Sequence, residues 1–257
     1  MLDWPIQKAV IFTLILIRTS GIMVFAPFLG SRQYPLQMKA AVALILAFLA
    51  FSTMQGARLE SYETYRLLAA AASEFAVGLI IGYAASTLFV GVQMAGEIVG
   101  QQMGFALVNV LDPLSEEEVS LIGEMKFFMA IAIFLAIDGH HFLLRAVVSS
   151  FQVVSLGGAH LGEPVVISLA RLSAGIFVVA VKVAAPTVLV LFLVSVALGF
   201  VARTVPQMNV FIVGFPLTVG VGLAVLLLAT PFFATMVQKL WIGMEMSLSD
   251  LIYQVSS

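Results

Sequence analysis

Residues 203–216 read Arg-Thr-Val-Pro-Gln-Met-Asn-Val-Phe-Ile-Val-Gly-Phe-Pro, and they lie at the junction of two long apolar segments. This stretch sets an arginine, two prolines and the carboxamides of Gln207 and Asn209 in a chain that has little polarity elsewhere. Polar groups are costly near the hydrocarbon core of a bilayer. We therefore expect this polar break to carry a function.

The composition of the chain is that of a membrane protein. Of its 257 residues, 61% are hydrophobic and 10% are charged, whereas soluble domains carry about 25% charged residues. The mean hydropathy is +1.11. The deficit of charge extends over the whole length, which predicts a single domain, 1–257, without a separate soluble part. The net charge of −2 gives no reason to expect nucleic acid. The absence of cysteine excludes disulfides and thiolate metal sites.

Hydrophobicity predicts an all-α fold with about six apolar segments. A helix that spans a bilayer needs about 20 apolar residues, and most of the segments reach that length. The fifth segment is too long for one simple span and contains Pro186, which predicts a kink there or two shorter helices. The segments are 9–30, 38–56, 67–91, 125–147, 165–202 and 210–237.

A long central connection, residues 92–124, begins with a regular pattern of small and polar residues. Glycines and polar side chains each recur at every fourth position: Gly96, Gly100 and Gly104 beside Gln93, Glu97 and Gln101. On a helix the glycines form a smooth strip that another backbone can approach closely, and the polar residues form a stripe beside it. The strip predicts either a tight helix contact within the chain or a contact with a partner chain.

The central connection continues as an irregular apolar loop over residues 105–114. Pro113 biases Asp112 away from helical geometry, and Ser115 with Glu118 has the spacing of a capping box at the start of the next helix. The loop is interpreted as a packed turn, a re-entrant segment or a plug in a pore. If the loop is a plug, the candidate plug residues are Phe105, Leu107, Val108, Val110, Leu111, Asp112 and Pro113.

Charged residues inside apolar segments include Arg18, Glu74, Arg171 and Lys182. An isolated charge there costs several kcal/mol unless it is paired or hydrated. Arg171 and Lys182 are eleven residues apart and lie near one helix face, so we predict that Glu74 pairs with one of them. The alternative is snorkelling of the long side chains to the interface, which fits Arg18 and Arg171 better than Lys182.

Catalysis finds little support in the sequence, and no enzyme activity, cofactor or metal site is predicted. His140 and His141 are adjacent, so on a helix they should point to different faces. No metal-binding spacing such as His-x-x-Glu-His is present, and no acid–base constellation is visible. The two histidines follow Asp138 and Gly139 at the end of a segment, where we expect an interfacial role.

The break at 203–216 resembles the carboxy-terminal signature of the FliR family, the export-gate proteins of flagellar type III secretion, which are homologous to the SctT proteins of injectisomes. The stretch 95–104 is similar to the family's central glycine–glutamate–glutamine motif, and Asp112–Pro113 follows at the expected place. The similarity covers essentially the whole chain. The signature residues are Arg203, Pro206, Gln207, Met208, Asn209, Gly214 and Pro216.

This resemblance implies an assembly. FliR-like proteins join FliP and FliQ in a helical complex at the entrance of the secretion pore, and FlhB associates at the cytoplasmic side. The apolar segments would form helical hairpins, in the bacterial inner membrane at the flagellar basal body and partly above the membrane plane on the periplasmic side. Unfolded flagellar proteins would pass as substrates. Residues 105–114 would form a pore plug with Gly104 as its hinge, and the strip from Gly96 to Gly104 would pack against FliP or FliQ.

A secondary transporter is the alternative interpretation. Transporters of that kind contain broken helices and charges near the membrane midplane, and Pro186, Lys182 and Glu74 fit such a pattern. An inverted internal repeat would favour this alternative, and the sequence shows none.

Overall fold

The computed structural model describes residues 4–27, 30, 35–54, 64–105, 120–205, 207 and 209–256. Over these residues the chain is helical and contains no strand, which confirms the all-α prediction. In chain order the helices are α1 Trp4–Phe25, α2 Leu36–Thr53, α3 Thr64–Met103, α4 Leu121–Ala136, α5 Gly139–Val153, α6 Glu163–Thr204, α7 Val210–Leu228 and α8 Thr230–Ser256.

The prediction of about six apolar segments, some of them broken, is also confirmed. In the described part of the chain, four helices are long and apolar enough to cross a membrane: α1, α2, α3 and α6. The predicted segments 125–147 and 210–237 are each part of a bent helix pair instead. The bend is 74° between α4 and α5 and 59° between α7 and α8. Each pair counted as one span gives up to six in total.

Helix α6 continues through Pro186 as a single helix of 42 residues. The alternative of two shorter helices in this segment is therefore wrong. Proline has no N–H, so the carbonyl of Lys182, four residues earlier, loses its helical donor. The kink itself remains a prediction.

Helix α3 is longer than the predicted segment 67–91, because it continues through the first twelve residues of the central connection to Met103. It ends in a Schellman motif at Gly104, whose φ is 97°. The N–H of Gly104 donates to the Gln101 carbonyl at 3.0 Å, and the N–H of Phe105 donates to the Gly100 carbonyl at 3.0 Å. Glycine suits this position because it has no Cβ to strain at positive φ. Residues 106–119 lie outside the described residues.

By internal contacts the chain divides into two compact units. The first comprises Met1–Thr87, Leu135–Ser173 and Trp241–Ser257, and the second comprises Leu88–Phe134 and Ala174–Leu240. The core of the first unit is apolar, with buried side chains from α1, α2, α3, α5 and α8. Representative residues are Ile15, Ala47, Val77, Phe151 and Leu251.

Within the first unit, α1 and α3 meet at a pair of glycines. A Cβ built on Gly78 would lie 3.0 Å from the Cα of Gly21, which leaves no room for a side chain. Gly82, one turn along α3, packs in the same way against the backbone of Ile22. Close backbone approach through small residues is a common means of packing apolar helices, and here it fixes the register between α1 and α3.

Candidate functional site

A fully buried ion pair joins α1 and α3 in the first unit. The side chains of Arg18 and Glu74 are both 0% exposed. The guanidinium donates through Nε to Oε2 of Glu74 and through Nη2 to Oε1, the latter at 3.0 Å. Two parallel charge-assisted hydrogen bonds of this kind fix the geometry of both side chains as well as neutralising their charges.

The remaining hydrogen-bonding groups of the pair are also satisfied. Arg18 Nη1 donates to the Ser150 carbonyl at 2.9 Å, and Nη2 donates to the Val154 carbonyl at 3.2 Å. These carbonyls belong to the last turn of α5 and to its C-cap residue, where the negative end of the helix dipole favours a positive charge. Glu74 Oε1 accepts the N–H of Gly157 at 2.8 Å. The pair thus joins α1, α3, the end of α5 and the turn after it.

The predicted pairing of Glu74 with Arg171 or Lys182 is wrong, because its partner is Arg18. Arg171 and Lys182 are exposed on the surface of this chain. The snorkelling interpretation of Arg18 is also wrong, since its side chain is fully buried. Helical periodicity identifies residues that share a face, but it does not say which helices are neighbours. That was decided by the close approach of α1 and α3 at Gly21 and Gly78.

We expect Glu74→Leu to lower the free energy of unfolding by about 3–5 kcal/mol, because it leaves the Arg18 charge buried without a counterion. The double variant Arg18→Met/Glu74→Leu removes both charges and should recover much of this loss. The measurement is chemical unfolding in mixed micelles. The control is Arg171→Met, an exposed arginine whose replacement should change stability by less than about 0.5 kcal/mol. A coupled pair would be contradicted if the double variant lost as much free energy of unfolding as Arg18→Met and Glu74→Leu lose together.

The glycine strip of α3 packs against the chain itself. A Cβ on Gly96 would lie 2.5 Å from the Cα of Gly123 in α4, and a Cβ on Gly100 would lie 3.2 Å from Oγ of Ser120. In the polar stripe, Glu97 is partly buried and Gln101 is exposed. The strip therefore makes the within-chain contact, and the space over Gly96 and Gly100 is already occupied by α4.

In the second unit, α7 holds the last residue of α3. Met103 is 0% exposed, and its carbonyl accepts the hydroxyl of Thr218 at 3.1 Å. The Met103 side chain lies against Gly222, where a Cβ would come within 2.7 Å of its Cγ. Thr218 and Gly222 are one turn apart on α7 and form what we call the Met103 seat. The seat fixes the point at which the chain enters the central loop. Sequence analysis missed it.

Alanine substitutions at two glycines of α7, Gly220 and Gly222, should have different effects on stability. Gly222→Ala pushes a methyl group into the buried Met103, whereas a Cβ at Gly220 meets nothing within 4 Å. Both changes gain the same helix propensity, about 1 kcal/mol, so their difference isolates the contact. We expect Gly222→Ala to be less stable than Gly220→Ala by about 1–3 kcal/mol, measured by unfolding in micelles. Equal stabilities would show that Met103 is not held there.

The signature residues 203–216 form the link between α6 and α7. Arg203, Gln207 and Asn209 are exposed, and Gly214 is buried within α7. Oδ1 of Asn209 accepts the N–H of Ile212 at 3.3 Å, so this signature residue caps the start of α7. Pro216 lies inside α7. Pro206 and Met208 lie outside the described residues.

Of the plug candidates, only Phe105 is among the described residues, and it is half-buried. The other candidates lie outside them: Leu107, Val108, Val110, Leu111, Asp112 and Pro113.

One further buried polar side chain, that of Lys126, was not identified as a candidate from the sequence. Lys126 of α4 is 5% exposed, and its Nζ lies 4.7 Å from the ring centroid of Phe233 in α8, a cation–π contact. The prediction that His140 and His141 point to different faces is wrong, because their ring centroids lie 4.2 Å apart.

The arrangement defines a class of protein: a chain of apolar helices, long or bent in pairs, with Arg18, Glu74 and Lys126 buried between helices in its described part. The family model of the bacterial export proteins, family 1, matches residues 9–244. The chain therefore belongs to that family.

The relatives of this chain confirm the resemblance to the FliR family. The flagellar biosynthetic protein FliR of Bacillus subtilis is 38% identical over 234 residues, which cover 90% of each chain. FliR of Escherichia coli is 27% identical over 240 residues, covering 93% of this chain and 92% of the relative. FliR of Aquifex aeolicus is 30% identical over 210 residues, covering 80% and 79%.

Proposed function

We propose that this chain is a core subunit of the flagellar type III protein export gate. In this proposal the whole chain, 1–257, acts as one domain in the bacterial inner membrane at the flagellar basal body. It forms the secretion pore with FliP and FliQ, and FlhB associates at the cytoplasmic side. Unfolded flagellar subunits pass through the pore without covalent chemistry by this chain. The observation that carries the proposal is the similarity to FliR proteins over 90% of the chain.

The distribution of apolar surface supports an assembled state. Only 28% of the most apolar part of α6 is buried within the chain. Large side chains such as Phe177, Phe192 and Phe200 are more than half exposed on this helix. Large exposed apolar surfaces mark contact with protein or lipid. Partner helices and lipid together would cover α6 in the complex.

The buried charges favour a pore subunit over a secondary transporter. A transporter would use a midplane charge to bind its substrate or coupling ion. Glu74 is fully bonded to Arg18 and Gly157, and Lys182 is exposed on the chain. The charge of Glu74 is therefore explained by its role in packing. Lys182, the other charge that suggested a transporter, lies on the surface of the chain.

Within the pore we propose that residues 105–114 act as the plug, with Gly104 as the hinge. A plug needs a fixed base and a defined point where the chain leaves its helix. The Met103 seat supplies the base, and the Schellman motif at Gly104 supplies the departure point. The apolar character of Phe105 and Leu107 suits closure by exclusion of water and ions.

The experiment that tests the export-gate assignment is native mass measurement after co-expression with FliP and FliQ in mild detergent. We expect a stable hetero-oligomer that contains this chain, because its exposed apolar faces need partners. A monomer or homodimer of this chain, with FliP and FliQ assembling without it, would contradict the proposal and favour the transporter alternative.

The plug is tested by deleting residues 106–112 and measuring ion conductance of the purified complex in planar bilayers. We expect a higher leak current, because the deletion removes most of the apolar loop. A second variant replaces 106–112 by seven Gly and Ser residues, which keeps the loop length and removes its apolar side chains. Unchanged conductance in a fully assembled deletion complex would refute the plug while leaving the assembly intact.

A further inference from the structure

Three potential metal ligands meet where α4 ends and α5 begins, and the proposed function assigns a role to none of them. Asp138, His140 and His141 each offer one ligand atom, and these atoms all lie within 4.8 Å of one another. Nδ1 of His141 lies 3.2 Å from Oδ1 of Asp138. The two imidazole rings are 4.2 Å apart and inclined by 37°.

The backbone at Asp138 produces this grouping. Its φ of 57° and ψ of 25° place it in the left-handed region, which a non-glycine residue adopts infrequently. Asp138 stands at the N-cap position of α5, yet its side chain makes no capping hydrogen bond. The carboxylate is directed to His141 instead. The sequence, with two adjacent histidines, did not indicate this geometry.

A separate observation concerns His140. Its Nδ1 is buried and has no hydrogen-bond partner among the described residues, whereas Nδ1 of its neighbour His141 lies 3.2 Å from Oδ1 of Asp138. A buried polar atom without a partner requires an explanation such as an ion or water. Imidazole nitrogen is the commonest protein ligand for metals, and a metal at this cluster would account for His140 and His141 being held together.

The donor set selects the class of ion. Imidazole nitrogens and a carboxylate oxygen suit Zn²⁺, Co²⁺, Ni²⁺ and Cu²⁺, whereas Mg²⁺ and Ca²⁺ prefer oxygen ligands alone. Three protein ligands leave at least one position for water. The positive end of the α5 dipole opposes a cation at this place, and the negative charge of Asp138 offsets it. We propose that Asp138, His140 and His141 bind one divalent transition-metal ion.

Such an ion would stabilise the break between α4 and α5. Its ligands come from the left-handed residue and from the first turn of α5, so binding requires the folded geometry of the break. A ligand that binds only the folded state raises the stability of that state. The inference does not depend on the export-gate proposal, because every ligand lies in this chain.

The test uses the full chain, purified in detergent through a tag without histidine and titrated with Zn²⁺ by calorimetry. We expect one Zn²⁺ per chain. His140→Gln, His141→Gln and Asp138→Asn should each weaken binding by about tenfold or more, which is about 1.4 kcal/mol. His160→Gln is the matched control, since His160 is the remaining histidine of the chain and lies outside the cluster. Absence of saturable binding, or wild-type affinity in His141→Gln, would overturn the proposal.

A second measurement separates loss of the site from loss of the fold. Zn²⁺ should raise the thermal unfolding temperature of the wild type and of His160→Gln, but not that of His141→Gln. Asp138→Gly relieves the positive φ while removing a ligand, so this variant should fold well and show no Zn²⁺-dependent shift. A shift of wild-type size in Asp138→Gly and His141→Gln would show that the ion binds elsewhere and would reject the site.

Discussion

The first compact unit depends on one interaction, the buried pair of Arg18 and Glu74. Each charge loses several kcal/mol of hydration on burial, so the pair is tolerated only where every donor and acceptor finds a partner. The partners come from the end of α5 and the turn after it, through Ser150, Val154 and Gly157. A shift of one helix by one residue would leave a buried charge unpaired. The pair therefore selects a single register in a core whose aliphatic side chains could pack in several.

Glycines provide the second constraint. Apolar helices in an apolar environment gain little from burying more hydrophobic surface, so their association depends on close packing and hydrogen bonds. Gly21 and Gly78 bring α1 to α3 in the first unit, and Gly96 and Gly123 bring α3 to α4 in the second. The first contact places Arg18 beside Glu74, since it sets the distance between their helices. Small residues and buried charges thus act together rather than as separate features.

The parts of the chain that are least buried within it are the ones available for contact with other chains. The exposed apolar face of α6 and the exposed signature residues Arg203 and Gln207 are surfaces that this chain does not cover by itself. The Met103 seat gives the central loop a fixed origin in the second unit. A fixed origin for the loop and apolar surfaces left uncovered by the chain are both consistent with the proposed place in a pore. The break between α4 and α5 at Asp138 adds the proposed metal site.

The sequence by itself determined the helical class, the number of apolar segments and the family. The lengths of the apolar segments and the motif at residues 203–216 are local properties of the chain. Only the tertiary structure decided that Glu74 pairs with Arg18, that Gly96 faces Gly123, and that His140 and His141 lie together. These outcomes depend on which helices are neighbours and on one left-handed residue, and periodicity along a chain contains neither. Packing between distant segments decided them because burial forces each charge to find whichever partner the fold brings near.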